Sequence, residues 1–312
     1  MARLTIYFVL AFLFLFREQI RSQPNDIVVK YEIAKDQSVK FTYEKNVYGT
    51  YYLQVNFKYL ENSIFAGFRG NIDGRSGTLF TLKPSDISRG IGFSYDYNWI
   101  RGKLQARVDT TFTYLLPLSK GKKALVFNQG YDYNHYFGAE NPRNWKAFLF
   151  KVSEGDTVFS ARKGVVVEVK DGFEPDSTLF YSNKSNSIMI EHQDGTLARY
   201  NVLKKGSIKV EPGQTVYAHT PIAIAGTYNL GTNSQVSFTV CYLIEDKLDN
   251  SGHKTMKTNK NYFSYIDPVF HTTDGDVCLK SNQTYTADLN KEIITKELSK
   301  SERKKMESTK LK

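Results

Sequence analysis

The sequence predicts an all-β protein built of two units. Three observations predict it: apolar and polar residues alternate with period two, the alternating runs are rich in Tyr, Phe, Val and Thr, and glycines or Asp-Gly pairs separate the runs. With 312 residues, 41% apolar and 14% aromatic, the chain carries enough core-forming material for two ordinary domains, which excludes a wholly disordered chain.

The first unit is expected over 27–118. Residues 38–41, 51–57 and 110–114 alternate clearly, and Asp73-Gly74 marks a turn between runs. Short antiparallel strands of a small β-sandwich follow from that pattern. Tyr95, Tyr97 and Trp99 alternate outward along one run. Such rings could stack on sugars, but packing along the strand is the expectation. Residues 119–123, Ser-Lys-Gly-Lys-Lys, are polar and contain glycine, which suits an inter-domain connection.

A second unit is expected over 124–275. Its strands read at 157–161, 164–169, 187–191, 198–203, 207–210, 221–225 and 235–243, with Asp171-Gly172, Asp194-Gly195, Gly206, Gly213 and Gly226 between them. Even spacing of this kind indicates a sandwich or barrel. The remaining residues, 276–312, form a C-terminal extension. Its last part, from Asn290, holds eight Lys or Arg against four Glu and no aromatic residue. A solvated helix or frayed tail is the expectation there.

The N-terminus reads Met1-Ala2-Arg3 and then an apolar run from Ile6 to Phe16. That run is short of the ~20 residues needed to span a bilayer. A basic start before a short apolar stretch is the layout of a secretory signal, expected over 1–22, so the mature chain keeps no stable membrane span and is secreted or periplasmic. The two cysteines, Cys241 and Cys278, fit either one disulfide in an oxidising compartment or two free thiols. They are too few for a zinc knuckle.

Lys and Arg outnumber Asp and Glu by 42 to 32, a formal charge of +10. This favours anionic surfaces such as envelope polymers or lipid headgroups. The basic residues are scattered rather than gathered with base-stacking aromatics, so nucleic acid is not an expected partner. No phosphate-binding loop or dinucleotide fingerprint occurs.

Between Trp145 and Leu243 the order of segments becomes specific: Glu154-Gly155-Asp156-Thr157-Val158, Ala161-Arg162-Lys163-Gly164 and the β-branched run after it, Ile188-Met189-Ile190-Glu191-His192, Ala198-Arg199-Tyr200, Pro221-Ile222-Ala223-Ile224-Ala225-Gly226 and Ser237-Phe238-Thr239-Val240. This third of the chain resembles the lysostaphin-like zinc endopeptidases, the LytM-type hydrolases that cut peptidoglycan. The resemblance implies a β-sheet peptidase core of the barrel-sandwich hybrid kind. It also implies a zinc held by His-x-x-x-Asp and by the second His of His-x-His, with two more His assisting. Three protein ligands leave a fourth position for a water that the metal acidifies.

Carried over residue by residue, the His-x-x-x-Asp positions fall on Trp145 and Leu149, the Tyr-x-His-Leu histidine on Val202, and His-x-His on Gln235-Val236-Ser237. The resemblance therefore implies a degenerate member lacking its zinc ligands, with no cofactor expected. Trp145, Leu149, Val202, Gln235 and Ser237 would line a partly apolar former cleft able to hold a glycan, peptide or partner helix. No base accompanies Ser237, so serine hydrolysis is not supported. His135, with Asp132 nearby, is the residual candidate metal contact, and a third ligand is missing. His192, His219, His253 and His271 are expected at the surface.

Degenerate members of this family include activators of cell-wall hydrolases. The expected role is thus a module at the bacterial envelope whose partner is peptidoglycan or a cell-envelope protein. The alternatives are an active zinc endopeptidase with unconventional ligands, and a structural or adhesion protein that uses the N-terminal sandwich.

Overall fold

The computed structural model describes residues 26–131, 141–174, 184–228, 234–245, 248 and 262–309. Strands take 48% of residues and helices 5%, so the chain is all-β as its alternation predicts. The expected signal at 1–22 lies outside the described residues. Among the described residues no helix is long and apolar enough to cross a membrane.

Six strands build the first unit: β1 (Ile27–Ile33), β2 (Val39–Lys45), β3 (Tyr51–Glu61), β4 (Phe68–Ile72), β5 (Ser76–Leu82) and β6 (Gly92–Arg101). In β2 alternation buries Val39, Phe41 and Tyr43 and turns Lys40 and Glu44 outward. The strands form two three-stranded sheets, ordered β1-β2-β5 and β4-β3-β6, around a core that includes Ile27, Phe41, Leu53 and Val55. Asp73-Gly74 turns the chain from β4 to β5. Tyr95, Tyr97 and Trp99 pack partly buried against this core, and the rings of Tyr97 and Trp99 lie 5.8 Å apart, nearly parallel.

The second unit comprises β7 (Thr113–Leu115), β8 (Lys123–Asn128), β9 (Phe148–Lys151), β10 (Thr157–Phe159), β11 (Gly164–Lys170), β12 (Asn186–Glu191), β13 (Leu197–Leu203), β14 (Thr215–Val216), β15 (Pro221–Ile224), β16 (Gln235–Leu243), β17 (Phe263–Tyr265), β18 (Val269–Thr272), β19 (Gly275–Cys278) and β20 (Gln283–Thr286). A nine-stranded sheet runs β14-β11-β12-β13-β16-β9-β8-β20, with β17 also paired to β16. The sheet does not close into a barrel. Two small sheets, β10-β15 and β19-β18-β7, accompany it, and Phe148, Phe150, Tyr200, Phe238 and Phe270 belong to the shared core.

The expected limits of the units need correction. The sandwich ends with β6, because Phe112, Tyr114, Leu116 and Leu118 are buried in the second core and β7 pairs in parallel with β18. Residues 119–123 are consequently a turn within the second unit, closed by the Lys122 N–H donating to the Ser119 carbonyl at 3.0 Å. The C-terminal extension is also integral: β20 pairs with β8, and Tyr285 and Ala287 join the core. Residues 207–210 form no strand. Ile208 and Val210 pack on the core, and the Lys209 N–H donates across to the Ile222 carbonyl at 2.9 Å.

The segment after Asn290 is helical and mostly exposed, the first of the two outcomes expected for it. The Asn290 side chain caps α1 (Lys291–Thr295) by accepting the Glu292 N–H at 2.8 Å. Ser299 and Glu302 cap α2 (Lys300–Thr309) reciprocally, the Glu302 carboxylate accepting the Ser299 N–H at 2.7 Å and the Ser299 hydroxyl accepting the Glu302 N–H at 3.3 Å. Between these helices Glu297 reaches Arg162, whose side chain is 3% exposed. The guanidinium is held by Glu297 at 2.7 Å and Asp194 at 2.9 Å, donates to the Tyr114 hydroxyl at 3.1 Å, and stacks over Phe112 at 3.8 Å. Two carboxylates and two rings compensate the desolvated charge, and they fasten this segment to the second unit.

Candidate binding groove

Period-two alternation sorts the central strands of the large sheet into two faces. Phe148 and Phe150 of β9, Ala198 and Tyr200 of β13, and Val236, Phe238 and Val240 of β16 enter the core. Leu149, Arg199, Asn201, Ser237, Thr239 and Cys241 stand on the opposite face. Register places Ser237 between Asn201 and Leu149, and Thr239 beside Arg199, which is in turn beside Met189. A cavity of about 1300 Å³ lies over this face, and aromatic rings at Tyr131, Trp145, Phe173, Tyr228, Phe263 and Tyr265 form part of its walls.

Gln129, just beyond β8, ties the cavity together. Its side-chain carbonyl accepts the Ser237 hydroxyl at 2.8 Å, its amide donates to the Tyr228 hydroxyl at 2.9 Å, and its backbone carbonyl accepts the Trp145 indole N–H at 2.9 Å. The Trp145 ring is further fixed by Tyr131 at 4.9 Å and Tyr265 at 4.6 Å between centroids.

Of the residues expected to line the old cleft, Trp145 and Ser237 line the cavity. Leu149 is directly across from Ser237 in the sheet but does not line it. Gln235 is buried at the start of β16, across from Lys151, with its N–H donating to the Gly226 carbonyl at 2.8 Å. Val202 is buried in a left-handed conformation, φ 63°, and its carbonyl accepts the Gly226 N–H at 2.8 Å. That is an uncommon backbone state for a β-branched residue. Both residues leave the cavity because the chain bends toward Gly226. His135 and Asp132 lie outside the described residues.

The side chains at the positions onto which the resemblance carries the zinc ligands do not fit zinc. An indole N–H only donates, Leu149 has no donor atom, and the neutral Ser237 hydroxyl is engaged with Gln129. Among the described residues no three His, Cys, Asp or Glu side chains converge as a metal site.

Cys241 and Cys278 are both free thiols. Cys241 lines the cavity from β16, whereas Cys278 ends β19 in a different sheet, so the topology keeps the pair in separate layers. Burial pushes the Cys241 thiol up to about 12, leaving it protonated and unreactive at neutral pH.

Three expected surface histidines are placed differently. His192 is buried, with Nδ1 2.7 Å from the Lys163 carbonyl and Nε2 without a partner. Burial, reinforced by the Arg162 charge, presses its pKa down to about 3. His219 is partly buried, with its ring stacked 4.2 Å from that of Phe159. His271 is partly buried too, 2.6 Å from Asp276. None of them lines the cavity, and His253 lies outside the described residues. Gln129, Arg199, Asn201 and Tyr265 are among the groove residues that the sequence reading missed; for Arg199 and Asn201 the outward phase of β13 was the available signal.

Residues 143–250 match the model of peptidase family M23. No curated protein matched the chain. Among solved structures it is similar to pseudoalterin, an M23 metalloprotease from the deep sea, at 17% identity over 58% of this chain and 97% of that one, with a TM-score of 0.31. It is similar to the catalytic domain of lysostaphin from Staphylococcus simulans at 20% identity, over 43% of this chain and 85% of that one, with a TM-score of 0.26. Csd3 of Helicobacter pylori is similar at 10% identity over 92% of this chain and 78% of that one, with a TM-score of 0.28. Superpositions this loose carry no argument about activity.

Proposed function

We propose that the protein, whose residues 143–250 match peptidase family M23, is an exported homologue of the peptidoglycan-cutting enzymes that has lost metal chemistry. In this reading it binds peptidoglycan, or regulates a hydrolase acting on it, at the bacterial envelope. The observation that carries the reading is the combination of a persisting groove with an altered donor set. Trp145 and Ser237 still face the cavity, but both spend their polar hydrogens on Gln129. Without a Lewis acid, no group at these positions acidifies a water for attack on a peptide carbonyl. What the groove does offer is aromatic faces beside amides and hydroxyls, which is the chemistry of sugar and peptide recognition. The short apolar N-terminal run after Arg3 supports export.

The test joins three measurements on the full chain. Metal analysis after incubation with zinc is expected to give far less than one ion per chain, and dye release from labelled peptidoglycan is expected to stay at background. Stoichiometric zinc with chelator-sensitive release would sink the reading and favour an active endopeptidase with unconventional ligands. In pull-down with isolated peptidoglycan, the wild type is expected to bind and Trp145→Ala to bind at least ten-fold less. Unchanged binding by Trp145→Ala would move the contact to the N-terminal sandwich.

A further inference from the structure

One cation on the groove floor is left with charge and donors to spare. Arg199 stands on β13 between Met189 and Thr239, one row from Asn201 and Ser237. Its side chain is 37% exposed and it lines the cavity. Its one ion pair among the described residues, to Glu168, is long at 3.9 Å, and no described side chain accepts a hydrogen bond from its guanidinium. Glu168 is already shared, lying 3.4 Å from Arg101 and 3.3 Å from Lys170. Three cations therefore surround one carboxylate. Asp171, which also lines the cavity, accepts the Gly206 N–H at 2.8 Å. Counting both acids, Arg101, Lys170 and Arg199 leave this end of the groove positive.

A guanidinium offers planar paired N–H donors that match a carboxylate, and in a partly desolvated groove such charge-assisted bonds are stronger than neutral ones. The Thr239 hydroxyl directly across from it can turn to suit a second oxygen. We propose that Arg199 is a carboxylate-recognition point, so that the groove selects ligands presenting a carboxylate to the row Arg199–Thr239. This rests on the groove being a binding site and specifies the chemical class it takes. Peptidoglycan offers such a group in two places, the free carboxylates of its stem peptide and the lactyl carboxylate of a muramic acid from which the peptide has been removed.

The experiment titrates the full chain with two soluble probes, a disaccharide peptide and a peptide-free disaccharide that ends in muramic acid. Each is used in native form and with its carboxylates converted to primary amides. At least one native probe is expected to bind ten-fold or more tightly than its amide, and the probe that shows the difference identifies the source of the carboxylate. Arg199→Gln is expected to bind native and amidated forms equally, while Arg199→Lys keeps part of the preference. Equal binding of native and amidated probes by the wild type, or an undiminished preference in Arg199→Gln, overturns this proposal alone. Absence of binding to every form by the wild type overturns the groove reading and this proposal with it.

Discussion

The two faces of the large sheet have followed different rules. On the core face of β9, β13 and β16, Phe148, Phe150, Tyr200, Phe238 and Val240 are buried in one hydrophobic core. On the groove face, one residue away at every step, stand Leu149 and Ser237, onto which the resemblance stated above carries two zinc ligands. A period of two separates the residues that hold the sheet from those that act beside it. Chemistry on one side can therefore change while the fold persists on the other.

The largest expected effect attacks the core face. Phe238→Ala removes a fully buried ring and should cost about 3–5 kcal/mol, measured as a shift in denaturant midpoint at constant m. An effect below 1 kcal/mol would mean that the sheet's two sides are not divided as described. Next comes the clamp behind that core: Glu297→Ala leaves Arg162 buried with Asp194 as its remaining carboxylate. A loss of about 3 kcal/mol is expected, with faster proteolysis after residue 290 as a second readout.

Acidity probes the same neighbourhood. His192 resists protonation in the fold, with a pKa of about 3, while in the unfolded chain it titrates near the ordinary histidine value of 6.5. Below that value the unfolded state binds a proton the folded state refuses, so stability should fall by about 1.4 kcal/mol per pH unit as pH drops from about 6.5 toward 3. The contribution is fully present above pH 6.5. His192→Gln should flatten that slope in a series of pH-dependent melts, and an unchanged slope would assign it to other groups. The smallest effect belongs to the groove face. Ser237→Ala deletes one hydrogen bond to Gln129 and should change stability by about 1 kcal/mol or less. A loss comparable to that of Phe238→Ala would erase the contrast between the faces.

Much of the sheet was legible because period-two alternation is a local signal. The runs at 164–169, 187–191 and 235–243 lie within one residue of β11, β12 and β16 at each end. The same pattern over 110–114 pointed to a buried face without naming its partner, and β18 lies more than 150 positions further on. His192 precedes an Asp-Gly turn, which normally reads as surface; its burial comes from Arg162, Tyr114 and Gly164, and no local pattern encodes that packing. Gln129 was equally invisible, since its partner Ser237 is 108 residues away. The Ser299-Lys300-Ser301-Glu302 box is the opposite case, a local start signal for α2 that the reading of this segment from its charge alone passed over.

The Arg162 clamp also sets a schedule for the nascent chain. Synthesis delivers Glu297 135 residues after the arginine it neutralises, and β20 reaches β8 after a similar delay. Until the ribosome has passed that point the guanidinium has half its countercharge and one margin of the sheet stands bare. Closure is therefore a late event, and a polypeptide interrupted short of Glu297 would keep that buried charge half compensated.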